Sequence, residues 1–419
     1  MSQSSTTITL PICTIQTDFN SLIEDVRNGA VPEESFWISC YKTGEPSVHG
    51  KVHLTLNEID RNLVVYEGTE GVEFEDDGDG KKISAFDMAP DGSRFVTAYD
   101  DGSVYISPTS TVTSPGTIMS KCHLSTVTSV RFFPSSRVLL TASSDFSLSI
   151  LSAELPPPSA ATPNNGPIRI SSVRTFKGHS RGVTSTAIIA RGRTILSGSK
   201  DGTVRLWDVS SGSQIRMWGT SKFTSIFSTS VGEQGEGAFT GHPDGEESNK
   251  IPMPMDPKEV DTADKVAFCG LSDGTFEAFD LGTKLSVFRS SSNRSSSPLH
   301  SITYSPSHNL LATGSGAGVV RVYDTRSLGE PLVSFARNAA CIEDLTFLAL
   351  SPSEVGLAVA TEDGLPYITH VRPEGPSVRA ELVGSDCDAV RHIRVGTGKG
   401  EMWTAADDGV VRRYENLYA

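Results

Sequence analysis

Between residues 183 and 219 apolar and polar positions alternate through four short runs, VTSTAII, TILSGS, TVRLWDV and QIRMWG. A change of face at every residue is the period of a half-buried β-strand, and turn residues fill the gaps. The stretch predicts four antiparallel strands, a to d, joined by tight turns. The same order returns downstream as SITYS at 301–305, LLATGS at 310–315, VVRVYD at 319–324 and PLVSF at 331–335.

The b–c turn carries a fixed chemistry, an Asp-Gly pair leading into an alternating strand. It reads DGSVYI at Asp101, DFSLSI at Asp145, DGTVRLWD at Asp201, DGTFEAFD at Asp273, AGVVRVYD at Ala317, DGLPYI at Asp363 and DGVVRRY at Asp408. The intervals are 44, 56, 72, 44, 46 and 45 residues. Where the signature runs full length, an aromatic residue stands six positions after its first residue: Trp207, Phe279, Tyr323 and Tyr414. A period of about 40–45 residues closing on Trp-Asp marks WD-repeat blades. Seven such units predict an all-β fold, a seven-bladed WD-repeat β-propeller over residues 81–419.

The two long intervals hold insertions, a proline-rich one at 155–167 and an acidic, Gly/Pro-rich one at 231–264. The first lies between strands c and d of the second unit, the second between a and b of the fourth. In a propeller those connections share one face, so the opposite face, formed by the d–a and b–c turns, is expected to be clear. A serine-rich stretch, Ser290–Ser297, belongs to that clear face. The last unit runs out after strand c at Tyr414. Its fourth strand is expected from the N-terminal extension, residues 1–80, as TITLPI (7–12) or FWISCY (36–41), because an open sheet edge is normally paired or covered. The extension ends in an acidic run, Glu70–Asp79, read as a solvated loop.

A net charge of −14 argues against a nucleic-acid or anionic-membrane surface and favours a basic protein partner. Six scattered cysteines without a CxxC pair read as buried reduced thiols. No apolar run has membrane-spanning length and no secretory leader is evident, so a cytoplasmic or nuclear protein, monomeric on its own, is expected.

His179, Ser199, Asp201 and Trp207 could be mistaken for a catalytic set. Their spacing matches instead a structural tetrad, in which the d–a loop His bonds the turn Asp while Ser and the indole complete a buried network. The second unit keeps His123, Ser143 and Asp145 but has Leu151 at the Trp position. Gly270–Gly274 spells GxSxG, yet it leads into a strand rather than the helix a nucleophile elbow requires. Gly314–Gly318 and Gly396–Gly400 open no helix, and the nine histidines show no metal spacing. A non-enzymatic protein without catalytic residues, metal or cofactor is expected. On the clear face the residue before each turn Asp should face solvent: Asp100, Ser144, Lys200, Ser272, Gly316, Glu362 and Asp407. Asp100 and Asp101, Glu362 and Asp363, and Asp407 and Asp408 then form an acidic sector on units one, six and seven, a candidate partner-binding surface.

Two stretches say more than the ring. Val127–Pro134 with Leu139–Asp145 is one; the other is Arg174–His179, Thr186–Arg193 and Ile195–Asp208, including the Arg-Gly-Arg of residues 191–193 between strands a and b. With Thr7–Leu10 and Asp18-Phe19, they resemble the proteasomal ATPase-associated factor family, WD-repeat chaperones of proteasome regulatory-particle assembly. The resemblance is specific over roughly residues 122–212. It implies a non-catalytic chaperone that binds the C-terminal domain of a proteasomal ATPase subunit, together with other base components, during assembly of the base. The alternative is a WD-repeat adaptor for another complex, such as a ubiquitin ligase.

Overall fold

The computed structural model describes residues 7–55, 82–109, 116–155, 167–235, 256–291, 297–351, 354–371, 375–385, 387–398, 400–415 and 417. From Ile83 to Tyr414 the chain forms seven successive antiparallel meanders. Their first strands are Ile83–Met88, Val127–Phe132, Val183–Ile189, Ile226–Glu233, Leu299–Ser305, Ile342–Ser351 and Val390–Val395. Each packs beside the next, and the last packs beside the first. The third meander shows the local logic. Ile195 lies opposite Trp207 and Leu196 opposite Leu206, so one register places apolar residues on both faces of the sheet. Both faces are buried because the core lies between meanders. Leu196, Val204 and Leu206 meet Ile226, Ala267, Cys269 and Leu271 of the fourth, while Ile195 and Trp207 meet Leu140, Leu148 and Ile150 of the second.

The seventh meander has three strands among the described residues, Val390–Val395, Met402–Ala406 and Val411–Tyr414. Neither TITLPI nor FWISCY pairs with Val411–Tyr414 among the described residues. Ile8–Thr9 pairs in parallel with Val333–Ala336, the outer strand of the fifth meander. Phe36–Tyr41 lies within Glu33–Tyr41, the central strand of a separate sheet with Ile12–Ile15 and Val48–Thr55. The physical reason is side-chain anchoring. Leu10 is buried among Val320, Val333 and Phe335, Arg337 Nε donates to the Pro11 carbonyl (2.9 Å), and the Cys13 N–H donates to Glu381 (3.1 Å). These contacts seat the extension beside meanders five and six. One helix, Phe19–Arg27, covers its sheet with Phe19, Ile23 and Val26, spaced to share one helical face.

Among the described residues, side chains join the last meander to the first. Ile83, Phe86 and Tyr99 of the first meander pack against Trp403, Ala405 and Val411 of the last. Arg394 Nε donates to Asp87 Oδ1 (3.0 Å) and His392 Nε2 to the Ser84 carbonyl (3.2 Å).

The proline-rich insertion is described only at its ends. Beyond it, Ile168–Arg169 turns back to pair in parallel with Ile118–Lys121, covering the outer edge of the first meander. The acidic insertion starts later than expected, since strand a of the fourth meander continues to Glu233. Its return holds a buried carboxylate, Glu259, bonded to Arg216 Nε (2.6 Å) and Lys284 Nζ (2.9 Å). The acidic run at 70–79 and residues 292–296 of the serine-rich stretch lie outside the described residues. Only Cys269 and Cys341 are buried; Cys13 and Cys40 face each other across paired strands, and Cys387 is exposed.

Candidate interaction face

The b–c turns and d–a loops interlock on one face. In each turn the residue after the Asp position has a left-handed backbone: Gly102, Gly202, Gly274, Gly318, Gly364 and Gly409 have φ between 74° and 86°. Gly202 shows why glycine stands there, since a Cβ would lie 2.4 Å from the Phe223 carbonyl of the next d–a loop. The second meander departs from the pattern, with Phe146 at φ 71°. An aromatic side chain in that region costs about 1–2 kcal/mol.

Beneath the turns lies the tetrad, with one correction. His179 Nδ1 is 2.9 Å from Asp201 Oδ2, but its Nε2 meets Ser197 Oγ at 2.8 Å, and Trp207 Nε1 donates to the same oxygen at 2.9 Å. Ser197, not Ser199, is the fourth member. The two serines share a face of strand b, but Ser199 stands one step nearer the turn. There its hydroxyl donates to the Gly182 carbonyl (2.9 Å) and accepts the Asp201 N–H (3.1 Å). Because Ser197 Oγ accepts the indole N–H, its own hydrogen is free for Nε2, and Nδ1–H then donates to Asp201. Burial pushes the His179 pKa down despite Asp201. Burial alone would raise Asp201, but hydrogen bonds from Thr203, His179 and the Ser180 N–H outweigh it and bring its pKa to about 2. The second meander substitutes Thr141 for the serine: His123 Nε2 meets Thr141 Oγ1 at 2.8 Å and Nδ1 meets Asp145 at 3.1 Å.

A channel of about 210 Å³ runs down the axis. Its mouth on the clear face is formed by the second residue of each strand a: Ser84, Thr128, Thr184, Phe227, His300, Glu343 and Arg391. Three hydroxyls stitch neighbours together, Ser84 to the Val127 carbonyl (2.8 Å), Thr128 to Val183 (2.6 Å) and Thr184 to Ile226 (2.9 Å). Deeper, Arg394 bridges Asp87 and Asp344, and the Phe132 N–H donates to Asp87 (2.8 Å). Asp344 is held well below the usual carboxylate range, its burial being outweighed by Arg394 and His392. His300, Cys341 and Glu343 bring ligand-type atoms within 4.8 Å of one another, a cluster that spacing along the chain does not reveal. Glu343 is already paired with Arg391 (2.9 Å), and burial followed by Glu343 pushes the Cys341 thiol up to about 12.

The expected acidic sector divides. Asp100 and Glu362 are exposed, and Asp101 and Asp363 are half-buried. Asp363 accepts the Asn338 amide (2.5 Å), and Asp101 lies 3.8 Å from Lys121 Nζ. Asp407 does not face solvent as expected. Arg391 grips both its oxygens at 2.8 Å and Lys82 approaches to 3.3 Å. Asp408 is paired with Arg412. Ser272 sits in a turn between antiparallel strands, its N–H on the Ser225 carbonyl (2.9 Å), with no helix after it.

The family model described as WD domain, G-beta repeat matches residues 73–106, 115–151, 170–208 and 282–324. The matched repeats and the ring of meanders support a WD-repeat protein with an all-β propeller fold, and such repeats suggest a protein-interaction scaffold. Over 43 residues the chain is 49% identical to a ribosome biogenesis protein BOP1 homolog of Oryza sativa subsp. japonica, a match covering 10% of this chain and 6% of that protein. Neither comparison singles out the proteasome-assembly family.

Proposed function

We propose that this chain is a non-catalytic assembly chaperone that holds the C-terminal domain of a proteasomal ATPase subunit during assembly of the regulatory-particle base. The reading rests on the resemblance over residues 122–212 and on one structural observation, the exposed carboxylates of Asp100 and Glu362 on the clear face. Those meanders are near neighbours across the ring closure, so their charges act on the same docked surface. Carboxylates on the rim of a protein contact set orientation and on-rate toward a basic patch, which suits an escort that must later leave. Asp407 and Asp408 are held in ion pairs with Arg391 and Arg412.

Affinity capture of the tagged chain from its own cells, resolved on a native gel and identified by mass spectrometry, tests the reading. Proteasomal ATPase subunits in small complexes lacking the proteolytic core are expected, with loss of that capture in Asp100→Lys/Glu362→Lys. A second reading, favoured by the 43-residue match, is a scaffold in ribosome assembly. Capture of ribosome-assembly factors without any ATPase subunit would establish it instead, and ubiquitin-ligase subunits would point to an adaptor.

A further inference from the structure

The same face carries an opposite chemistry on meanders two to four. Leu124 is 95% exposed, Phe223 65% and Phe146 46%. Arg181, Lys200 and Lys222 are exposed beside them, and among the described residues none of the three makes an ion pair. The turn acids cannot balance this charge outward, since Asp145 and Asp201 are turned in towards His123 and His179.

These six residues form one continuous strip. The Leu124 N–H donates to Asp145 (3.0 Å), which places Leu124 beside Phe146. A Cβ on Gly182 would lie 3.3 Å from the Ser144 Cα, which sets Arg181 against the same turn. The Ser180 N–H donates to Asp201 (3.0 Å), next to Lys200, and Gly202 packs on the backbone of Phe223. Lys222 and Phe223 hold left-handed conformations, φ 59° and 51°. At the inner edge Lys200 lies 6.0 Å over the Phe227 ring, so the strip reaches the channel mouth.

Phe146 is the telling residue. Six of the seven turns place glycine at its position, and this one keeps a strained phenylalanine that stays nearly half exposed. Strain retained at an exposed ring points to a role in recognition rather than stability.

We propose that this strip is a docking surface for an acidic peptide segment bearing aliphatic or aromatic anchors. The cations would meet its carboxylates, while Leu124, Phe146 and Phe223 would bury its apolar side chains. At one end Leu124 abuts the Asp100–Gly102 turn, since a Cβ on Gly102 would lie 2.2 Å from the His123 carbonyl, while Arg181, Lys200 and Lys222 lie on meanders three and four. The inference rests on these cations and rings and not on the proteasomal reading. A single-stranded nucleic acid fits less well. Leu124 offers no stacking surface, only three uncompensated cations are present, and the chain as a whole carries −14.

The test is fluorescence anisotropy of the full-length chain with a labelled dodecapeptide alternating Glu and Asp with Leu and Phe. Saturable binding that weakens with salt is expected. Phe146→Gly should weaken it about tenfold while the melting temperature holds or rises, because the turn then matches the other six. Lys200→Glu/Lys222→Glu should abolish binding, and Leu124→Ser keeps the proposal testable if that pair does not fold. Glu362→Lys, on the sixth meander, should leave peptide binding unchanged, which separates this surface from the proposed ATPase contact. Equal binding by wild type and Phe146→Gly, equal binding of an all-Glu peptide, or binding of a twelve-nucleotide RNA in place of the peptide would each overturn the proposal.

Discussion

Ser197 Oγ serves two buried partners, the Trp207 indole and His179 Nε2. Ser197→Ala strands both, and an unsatisfied buried polar group costs about 1–3 kcal/mol, so a loss of about 3 kcal/mol is expected. Ser199→Ala is expected to cost less, about 1 kcal/mol, because it strands one group, the Asp201 N–H, while the Gly182 carbonyl keeps its bond from the Lys200 N–H (3.0 Å). Urea unfolding of the two variants measures the difference; equal losses would return Ser199 to the tetrad. The chain order showed His179, Asp201 and Trp207 plainly, since each has a fixed offset from the turn. It could not choose between two serines on one face of a strand, because that choice depends on how far the indole reaches along the sheet. Asp407 eluded sequence reasoning for a related reason: its bidentate partner, Arg391, sits on a neighbouring strand sixteen residues earlier.

Strand pattern and turn chemistry made the meanders readable element by element, even where the terminal Trp is replaced by Phe279, Tyr323 or Tyr414. The side-chain contacts that join the last meander to the first were not readable, because strand counting looks for a paired edge and not for packing between meanders. Here the last and first meanders are joined by an apolar cluster and by Arg394, whose guanidinium bridges Asp87 and Asp344. Arg394→Ala leaves those two carboxylates without their shared cation, and breaking a buried pair typically costs about 3–5 kcal/mol. Hydrogen exchange in Ile83–Met88 and Val390–Val395 is expected to rise in that variant. Deleting residues 1–15 should raise exchange in Val333–Ala336 and leave Val411–Tyr414 unchanged. Protection lost at Val411–Tyr414 on that deletion would reinstate the N-terminal strand as the closing element.

The ring of meanders carries on one face both exposed carboxylates, Asp100 and Glu362, and an apolar, basic strip. Its stability should follow its buried histidines. Burial lowers the pKa of His123 and His179 below the ordinary 6.5, despite their Asp partners. Below pH 6.5 the unfolded chain takes up protons that the folded chain refuses, so stability falls as pH drops and is complete above that value. The slope is at most about 1.4 kcal/mol per pH unit for each histidine. Asp201 and Asp208, both brought to about 2 from 3.8, add a second decline below about pH 4. The urea midpoint of wild type should hold between pH 7 and 8 and fall towards pH 5, with a shallower fall in His179→Gln; parallel slopes would contradict this account. The central claim is that the face holds an ATPase domain through exposed carboxylates. Its most direct measurement is calorimetric titration of the purified chain with the isolated C-terminal domain of each proteasomal ATPase subunit. The account predicts that one domain binds with one-to-one stoichiometry, weakens as salt rises, and is lost in Asp100→Lys/Glu362→Lys. Absence of binding by every domain, or binding indifferent to those two charges, would contradict it.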